Sequence, residues 1–253
     1  MKVVCIGSGN VATHLANALK AKGVDLIQIW SRDLANASEL AKNTNSVAIS
    51  NLDEIDRSAD LYIVAVKDDA IASVSDSLRE INGLVVHTSG ATSMDALSAL
   101  KNYGVLYPLQ TFSKAKPIDF ANVPLCIEAS NVHTLEVLRS VADMLSSPVY
   151  EVDSEKRKIL HLAAVFACNF VNHLYTLSDK IVEHFELDFE MLKPLIMETA
   201  LKVQTELPIN VQTGPAVRDD EQTMIKHQVL LNGMPELKEI YQTLSKSIKK
   251  THL

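Results

Sequence analysis

The residue types best suited to chemistry come at the start of the chain, where an apolar run, residues 3–6, leads into Gly7-Ser8-Gly9-Asn10-Val11-Ala12. The apolar run predicts a strand, and residues 11–22 predict a helix. A glycine turn between them lets the backbone approach a pyrophosphate, and the N–H groups at the start of the helix attract its negative charge. Ala12 is small enough for close packing of the helix on the strand. The segment therefore predicts a dinucleotide-binding turn.

The end of the next predicted strand, residues 25–30, indicates which dinucleotide is bound. Ser31-Arg32-Asp33 follows it. A hydroxyl and a guanidinium suit the 2′-phosphate of NADP(H), because arginine offers a planar fork of donors. A carboxylate would instead bind the ribose hydroxyls of NAD. Asp33 is available for that role, although it also suits the N-cap of the following helix. We expect NADP(H), with Ser31 and Arg32 binding its 2′-phosphate.

Two later strand ends are expected to face the same crevice, because ligands of open α/β sheets bind at the carboxyl ends of the strands. The predicted strands cover residues 61–65 and 84–88. A surface turn is the alternative for Lys67, and His87 is either a core histidine or a neighbour of the cofactor. The expected cofactor contacts at these strand ends are Val66, Lys67, Thr88, Ser89 and Gly90.

The elements that must position these residues change character near residue 153. Before it, β-branched runs alternate with amphipathic segments, which is typical of parallel strands connected by helices. After it, only helical patterns remain, interrupted between residues 208 and 214 and at 232–233. The sequence therefore predicts an α/β domain with a Rossmann-type, mostly parallel sheet over residues 1–153, followed by an all-α domain over residues 154–253.

Five short motifs occur in an order that matches a known family. They are Gly7–Ala12, Val66-Lys67-Asp68-Asp69, His87-Thr88-Ser89-Gly90, Tyr107-Pro108-Leu109-Gln110-Thr111-Phe112, and Thr213-Gly214-Pro215 followed by Arg218, Asp220, Thr223 and His227. The chain resembles a family of bacterial proteins described as NADP oxidoreductases, similar in plan to pyrroline-5-carboxylate reductases and β-hydroxyacid dehydrogenases. The resemblance implies an NADP-dependent reductase with a helical dimerisation domain. Tyr107 stands where relatives tend to have histidine, and Asp219 where Arg-Gly-Asp order is usual.

The first predicted helix of the second domain carries polar side chains among apolar ones. A step of about 100° per residue places His161, Asn169 and Asn172 on one polar arc. His161 lies about 12 Å from Asn169 along a regular helix, so the asparagines can share a small substrate, with His173 as a further candidate. His161 would need another part of the substrate or another subunit. Hydrogen bonding within a helix bundle is the alternative. The candidate catalytic residues are Asn169, His161 and Asn172.

The family resemblance bears on which residue gives a proton to the substrate. The related hydroxyacid dehydrogenases have a lysine four residues before the asparagine, where this chain has Val165. An imine that arrives protonated needs no protein acid, whereas a carbonyl substrate requires one, supplied here by a histidine. The candidate substrate-binding residues are Gln110, Thr111, Arg218, Asp220 and His227. Arg218 could clamp a carboxylate, while helix capping is the alternative for Asp220. We expect no metal, because a third ligand is missing.

Composition limits the partners. The 253 residues carry a net charge of −7, which argues against nucleic acid. Three dispersed cysteines suit a reducing cytoplasm, and no secretory signal is recognised. The apolar stretch 160–177 contains two histidines and two asparagines, so we expect a buried helix of a soluble protein rather than a membrane span. We also expect a homodimer formed through the helical domain.

These observations predict a cytoplasmic, NADPH-dependent oxidoreductase that transfers hydride to a small-molecule substrate with a C=N or C=O bond. The first alternative is an NADP-binding regulatory or scaffold protein without turnover. The second is an NADP reductase linked to a deazaflavin, which would need an additional flat pocket.

Overall fold

The computed structural model describes residues 1–252, which divide into two compact units at residues 169 and 170. The first unit contains every strand of the described chain and five helices. The second, from Phe170 onward, is helical. The first unit thus continues beyond residue 153, because the next helix packs onto it.

One eight-stranded sheet forms the centre of the first unit. Its strands are β1 (Lys2–Ile6), β2 (Asp25–Trp30), β3 (Val47–Ile49), β4 (Leu61–Val64), β5 (Leu84–His87), β6 (Tyr103–Pro108), β7 (Leu125–Ala129) and β8 (Val149–Glu151). Their order is β3-β2-β1-β4-β5-β6-β7-β8. All neighbours are parallel except β6 and β7, which are antiparallel. This mostly parallel sheet confirms the predicted fold class.

Helices cover both faces of the sheet. Those of the first unit are α1 (Asn10–Ala21), α2 (Leu34–Thr44), α3 (Ile71–Ser77), α4 (Val132–Leu145) and α5 (Ser154–Ala164). Val3 and Cys5 of β1 belong to the core under α1, α2 and α4, whereas Val4 and Ile6 belong to the opposite core under α3. Because β1 is buried on both faces, its sequence is a continuous apolar run.

Local chemistry explains most helix starts. Asp33, Asn131 and Asp153 each accept a backbone hydrogen bond as N-caps of α2, α4 and α5. The strand β3 was not predicted, because three residues give too short a run for an alternating pattern. Met94–Leu97 forms a 3₁₀ turn rather than an α-helix.

The second unit contains α6 (Val171–His184), α7 (Lys193–Thr205), α8 (Glu221–Leu230) and α9 (Pro235–His252). Residues 165–170, between α5 and α6, form a π-helical turn. A π turn has more residues per turn than an α-helix. The regular 100° step therefore does not hold between His161 and the two asparagines, Asn169 and Asn172, and their expected common arc loses its basis.

The helical run from residue 154 to 184 is long and apolar enough, by length and composition, to cross a membrane. None of its most apolar window is buried inside the described chain, and Ile159 and Leu162 are exposed. The expectation that this chain buries the helix was therefore wrong. An apolar composition indicates that a surface is buried, but it does not show whether the same chain or another molecule buries it.

Candidate functional site

A cavity of about 660 Å³ lies in the first unit, at the carboxyl ends of β1, β2, β4, β5 and β6. Its lining includes these predicted cofactor contacts: Gly7, Ser8, Gly9, Asn10, Val11, Ser31, Arg32, Val66, Lys67, Thr88, Ser89 and Gly90. Ala12 is outside the lining and fully buried, as close helix packing requires. The size is typical of small-molecule sites, and the strand order reverses beside β1, where such sheets bind ligands.

At this reversal point the backbone of Gly7 lies very close to the backbone that follows β4. Its φ is 131°, and a Cβ atom there would lie 2.1 Å from the carbonyl oxygen of Ala65, just after β4. Its N–H donates to the carbonyl of Trp30 over 2.8 Å. Glycine is therefore required at this position for a steric reason as well as a conformational one.

Gly9 has the opposite surroundings. A Cβ atom added to it would meet nothing within 4 Å. Gly9 is the N-cap of α1 and offers no side-chain hydrogen bond, and the first turn of α1 contains no acidic residue. Open space beside an uncapped helix start fits a pyrophosphate. The residues present thus fit the dinucleotide that the turn predicts.

The neighbouring turn fits a 2′-phosphate. Ser31 Oγ lies 3.0 Å from Ser8 Oγ and joins the two turns. Arg32 is exposed, lines the cavity and makes no ion pair within residues 1–252. Asp33 is occupied elsewhere, because its carboxylate accepts from the backbone N–H of Ala35 and the side chain of Asn36. The carboxylate of Asp33 therefore caps α2, and this occupies the group that would otherwise bind the ribose hydroxyls of NAD.

The loop after β5 is held by its own side chains. Ser89 Oγ accepts from the backbone N–H groups of Ala91 and Thr92 and donates to the Thr92 hydroxyl. His87 is fully buried, and its Nδ1 accepts from the N–H of Ser89 over 3.2 Å. Burial, together with the nearby positive charge of Arg157, lowers the pKa of His87 to about 4. His87 is therefore a neutral core histidine at neutral pH.

A second polar feature of the cavity joins β6 to α5. Tyr107 Oη lies 3.0 Å from His161 Nδ1, and both residues line the cavity. Gly90 is pressed against this pair, because a Cβ atom there would lie 2.7 Å from His161 Nδ1 and 2.8 Å from Tyr107 Cζ. Burial raises the pKa of Tyr107 to about 12, so its hydroxyl keeps its proton.

A buried ion pair fixes the helix that carries His161. Arg157 is completely buried one turn earlier on α5, and its Nη1 donates to Glu128 Oε2 of β7 over 2.5 Å. Its Nη2 donates to the carbonyl of Thr92 over 2.6 Å. Ser154 Oγ donates to the same Glu128 oxygen. The network ties α5 to the sheet and to the loop that contains Gly90.

The comparisons with known proteins identify the family of the chain. The model of the family described as NADP oxidoreductase, coenzyme F420-dependent, matches residues 2–88. A domain of unknown function, DUF2520, matches residues 123–248. A crystal structure described as a putative NADP oxidoreductase from Bacteroides fragilis is 42% identical, with 98% of each chain covered and a TM-score of 0.94. The chain belongs to this NADP oxidoreductase family. It is an NADP-dependent oxidoreductase, as predicted, and NADP is its cofactor.

Structures with lower sequence identity share the fold. An imine reductase from Myxococcus stipitatus, solved with NADP+, is 16% identical, with 99% of this chain and 92% of that one covered and a TM-score of 0.68. A pyrroline-5-carboxylate reductase from Coxiella burnetii is 17% identical, with 97% of each chain covered and a TM-score of 0.60. A comparison with curated protein sequences gives no match.

The predicted catalytic and substrate residues are divided between the two units of the oxidoreductase. His161 and Gln110 line the cavity. Thr111 does not line it, and its N–H donates to Gln110 Oε1 over 2.8 Å. Asn169, within the π turn, and Asn172, in α6, are exposed and outside the lining. These roles stay predictions.

The late motif lies in the second unit. Asp220 caps α8 by accepting from the backbone N–H and hydroxyl of Thr223, which lowers the pKa of its carboxyl. His227 Nδ1 lies 3.0 Å from the Tyr241 hydroxyl, and Arg218 is exposed. Asp219 adopts a φ of 55°, a region that glycine adopts without strain. The family resemblance predicts glycine at this position, and aspartate tolerates the left-handed region better than most other residues do.

Sequence reasoning did not assign several residues that line the cavity. Tyr107 was noted only as a departure from the family pattern, and its strand-end position was the signal that could have placed it here. The other unassigned lining residues are Trp30, Asn36, Ala65, Asp68, Asp69, Ala70 and Pro108. Within residues 1–252, three or more histidine, cysteine or acidic side chains do not gather into a metal-binding group.

Proposed function

We propose that this NADP oxidoreductase reduces a small substrate at a C=N or C=O bond. The observation that carries the proposal is the composition of the cavity, which combines the dinucleotide turn with polar side chains that a dinucleotide does not require. Gln110 and His161 line the same space as Gly9 and Arg32. A reductase needs both functions in one cavity, since hydride passes over a short distance between aligned partners.

The chain's own residues bind the cofactor and orient the substrate. The start of α1 and the open space at Gly9 hold the pyrophosphate, and Ser31 with Arg32 holds the 2′-phosphate. NADPH, when bound, supplies the hydride. Gln110 offers an amide for orienting the substrate, although its Oε1 already accepts from Thr111. Val66, Thr88 and Gly90 line the cavity beside these groups.

The choice of C=N or C=O is supported by one similarity and one difference. Structures named as an imine reductase and a pyrroline-5-carboxylate reductase share this fold. The valine at position 165, where hydroxyacid dehydrogenases have lysine, argues against simple oxidation of a hydroxyacid. The description of the family model matching residues 2–88 favours a second candidate, hydride exchange between NADP and the deazaflavin coenzyme F420.

Two measurements test the proposed function. We expect NADPH and NADP to raise the melting temperature more than NADH and NAD do, because a ligand that binds only the folded state stabilises it. NADPH oxidation is then followed at 340 nm with an aldehyde, a ketone, a cyclic imine and oxidised F420. Oxidation with a carbonyl or imine supports the proposal. Oxidation with F420 alone supports the second candidate, and binding without any oxidation supports an NADP-binding protein without turnover.

We also propose that the enzyme is a cytoplasmic homodimer formed through the helical domain. Large apolar side chains are exposed along α7 and the preceding turn, including Met191, Leu195 and Leu201. A second copy of the same surface would bury them, as in obligate dimers. The three cysteines are free, as in a reducing compartment. Light scattering at micromolar concentration should give twice the chain mass. A monomer that sediments with phospholipid vesicles would instead assign the apolar surface to a membrane.

A further inference from the structure

We propose that Tyr107 and His161 form the proton-delivery pair of this reductase, with Tyr107 Oη giving the proton to the substrate and His161 Nδ1 replacing it. The inference rests on the proposed function and adds to it the source of the proton. It assigns a chemical role to Tyr107, which was noted from the sequence only as a departure from the family pattern.

The geometry places the two groups in direct contact at the cavity wall. Tyr107 Oη and His161 Nδ1 are 3.0 Å apart, and the two rings meet edge to face with centroids 6.0 Å apart. A 3.0 Å separation is within the range for a hydrogen bond between a hydroxyl and a ring nitrogen. Since both residues line the cavity, the pair can reach a substrate held there.

The surroundings keep Tyr107 in the form of a donor. The side chain is only 8% exposed and packs with Val105 and Cys126. Burial raises the pKa of its hydroxyl to about 12; a negative charge on Cys126 acts in the same direction, and the charge of Arg157 acts against it. A neutral phenol therefore persists across the physiological range. It can protonate an alkoxide or an amide-like nitrogen anion, which are stronger bases than phenolate.

His161 is placed to renew the proton. It is half-buried, so its ring contacts Tyr107 on one side and remains accessible on the other. Among residues 1–252, a hydrogen-bond partner is seen for Nδ1 only. With the proton on Nδ1, the histidine donates to Tyr107 Oη, and the tyrosine hydroxyl is then directed away from His161. Nε2 remains available for exchange with water.

The step balances in atoms and electrons. The carbonyl or imine carbon gains a hydride with its two electrons from NADPH, which leaves as NADP+. The π bond breaks, and the oxygen or nitrogen takes the proton from Tyr107 Oη. The phenolate takes the Nδ1 proton of His161 as Nε2 takes a proton from water, so the histidine stays neutral throughout. The sum is one C=X bond, one NADPH and one proton converted into CH–XH and NADP+.

The pair also indicates a substrate class. A carbonyl or a neutral imine must gain a proton during reduction, whereas a permanently charged iminium ion needs hydride alone. A proton-donor pair at the cavity wall is therefore suited to substrates that arrive unprotonated. This favours aldehydes, ketones and neutral imines over cationic iminium ions.

The position of the pair depends on its neighbours. Gly90 permits the contact, because a side chain there would collide with both rings. Leu160 packs against the cluster that contains Tyr107, and the ion pair of Arg157 with Glu128 holds α5. These are positioning residues, since they act through Tyr107 and His161.

The test compares two substrates in Tyr107→Phe. The aldehyde or ketone that the wild type reduces fastest is used beside N-methylpyrrolinium, an iminium ion without an exchangeable proton. We expect a loss of kcat of about 100-fold or more on the carbonyl, in the range typical of general acids. The iminium rate and the NADPH dissociation constant from fluorescence titration should change less than threefold. Tyr103→Phe, on the same strand but outside the cavity lining, is the matched control.

Two further readouts separate chemistry from structure. The double variant Tyr107→Phe with His161→Gln should lose no more carbonyl activity than Tyr107→Phe alone, because the two groups act in series. In the enzyme without cofactor, Tyr107→Phe should move the ¹⁵N resonance of His161 Nδ1, whereas Tyr103→Phe should not.

Each outcome decides the inference. Equal losses on both substrates would show a structural role for Tyr107, and an unchanged carbonyl rate would show another proton donor; either overturns the inference while the proposed function stands. If the wild type reduces only the iminium ion, the pair has no proton to deliver and the inference fails. If the wild type oxidises NADPH with no carbonyl, imine or iminium compound, the proposed function fails and the inference fails with it.

Discussion

The carbonyl oxygen of Ala65 lies 2.1 Å from the position that a Cβ atom would take on Gly7. The two residues follow β1 and β4, the strands on either side of the point where the strand order reverses. The backbones of Gly7 and Ala65 therefore lie close together next to the dinucleotide turn. A substitution at Gly7 must therefore move backbone, in addition to adopting a φ that other residues rarely take.

We expect Gly7→Ala to destabilise the enzyme by about 3 kcal/mol, from backbone overlap and the positive φ combined. Gly9→Ala is the matched control, since an alanine Cβ there meets nothing and φ is negative, −76°. It should keep the melting temperature within about 2 °C while weakening NADPH at least tenfold, because the methyl group occupies space meant for pyrophosphate. Thermal unfolding and fluorescence titration measure both effects. Unchanged NADPH binding in Gly9→Ala would place the pyrophosphate elsewhere.

Arg32 should determine the preference for the phosphorylated dinucleotide. We expect Arg32→Ala to weaken NADPH by ten- to a hundredfold and NADH by less than threefold, because a charge-assisted phosphate contact contributes about 1.5–3 kcal/mol. Arg57→Ala is the control, as Arg57 lies outside the lining and pairs with Glu80 at 3.6 Å. Dissociation constants for the two cofactors test this. An equal effect on both would assign Arg32 to the adenine or the pyrophosphate.

The buried ion pair should contribute much more to stability than an exposed one. We expect Arg157→Ala to lower the free energy of unfolding by about 3–5 kcal/mol, because Glu128 is left largely buried without its partner. Arg139→Ala removes the exposed pair with Glu151 and should cost less than about 1 kcal/mol. Urea unfolding at pH 7 provides the comparison. Similar midpoints for the two variants would show that Arg157 is not essential for holding α5.

His87 should make stability fall in mild acid. The pKa is about 4 in the folded chain, against 6.5 for the unfolded group, so below pH 6.5 only the unfolded chain takes up this proton. Folded-state stability is thus lost as the pH falls from 6.5 towards 4, by about 1.4 kcal/mol per unit. In His87→Asn, which retains an acceptor for the Ser89 N–H, the loss between pH 7 and pH 4.5 should be smaller by about 2–3 kcal/mol. Urea midpoints at both values measure it, and equal losses would show that other groups dominate.

Much of the fold could be predicted because its signals are local. The strand β1, the turn at Gly7 and the helix α1 occupy about 20 consecutive residues, and each is dictated by residue types within that stretch. Asp33 could be recognised as a cap for the same reason, since the bond to Ala35 spans two residues. The three-residue β3 and the π turn at residues 165–170 were missed, because each departs from the repeat used to detect it.

The sequence by itself determined the order of elements, the glycine turn and the arginine that suits NADP, since these depend on neighbours along the chain. The tertiary structure alone decided that Tyr107 meets His161, which lies 54 positions away, and that Glu128 neutralises Arg157 across 29. Such contacts depend on strand order and on the direction in which each helix packs. Those follow from the burial of apolar surface by the chain as a whole, and residue spacing does not encode them.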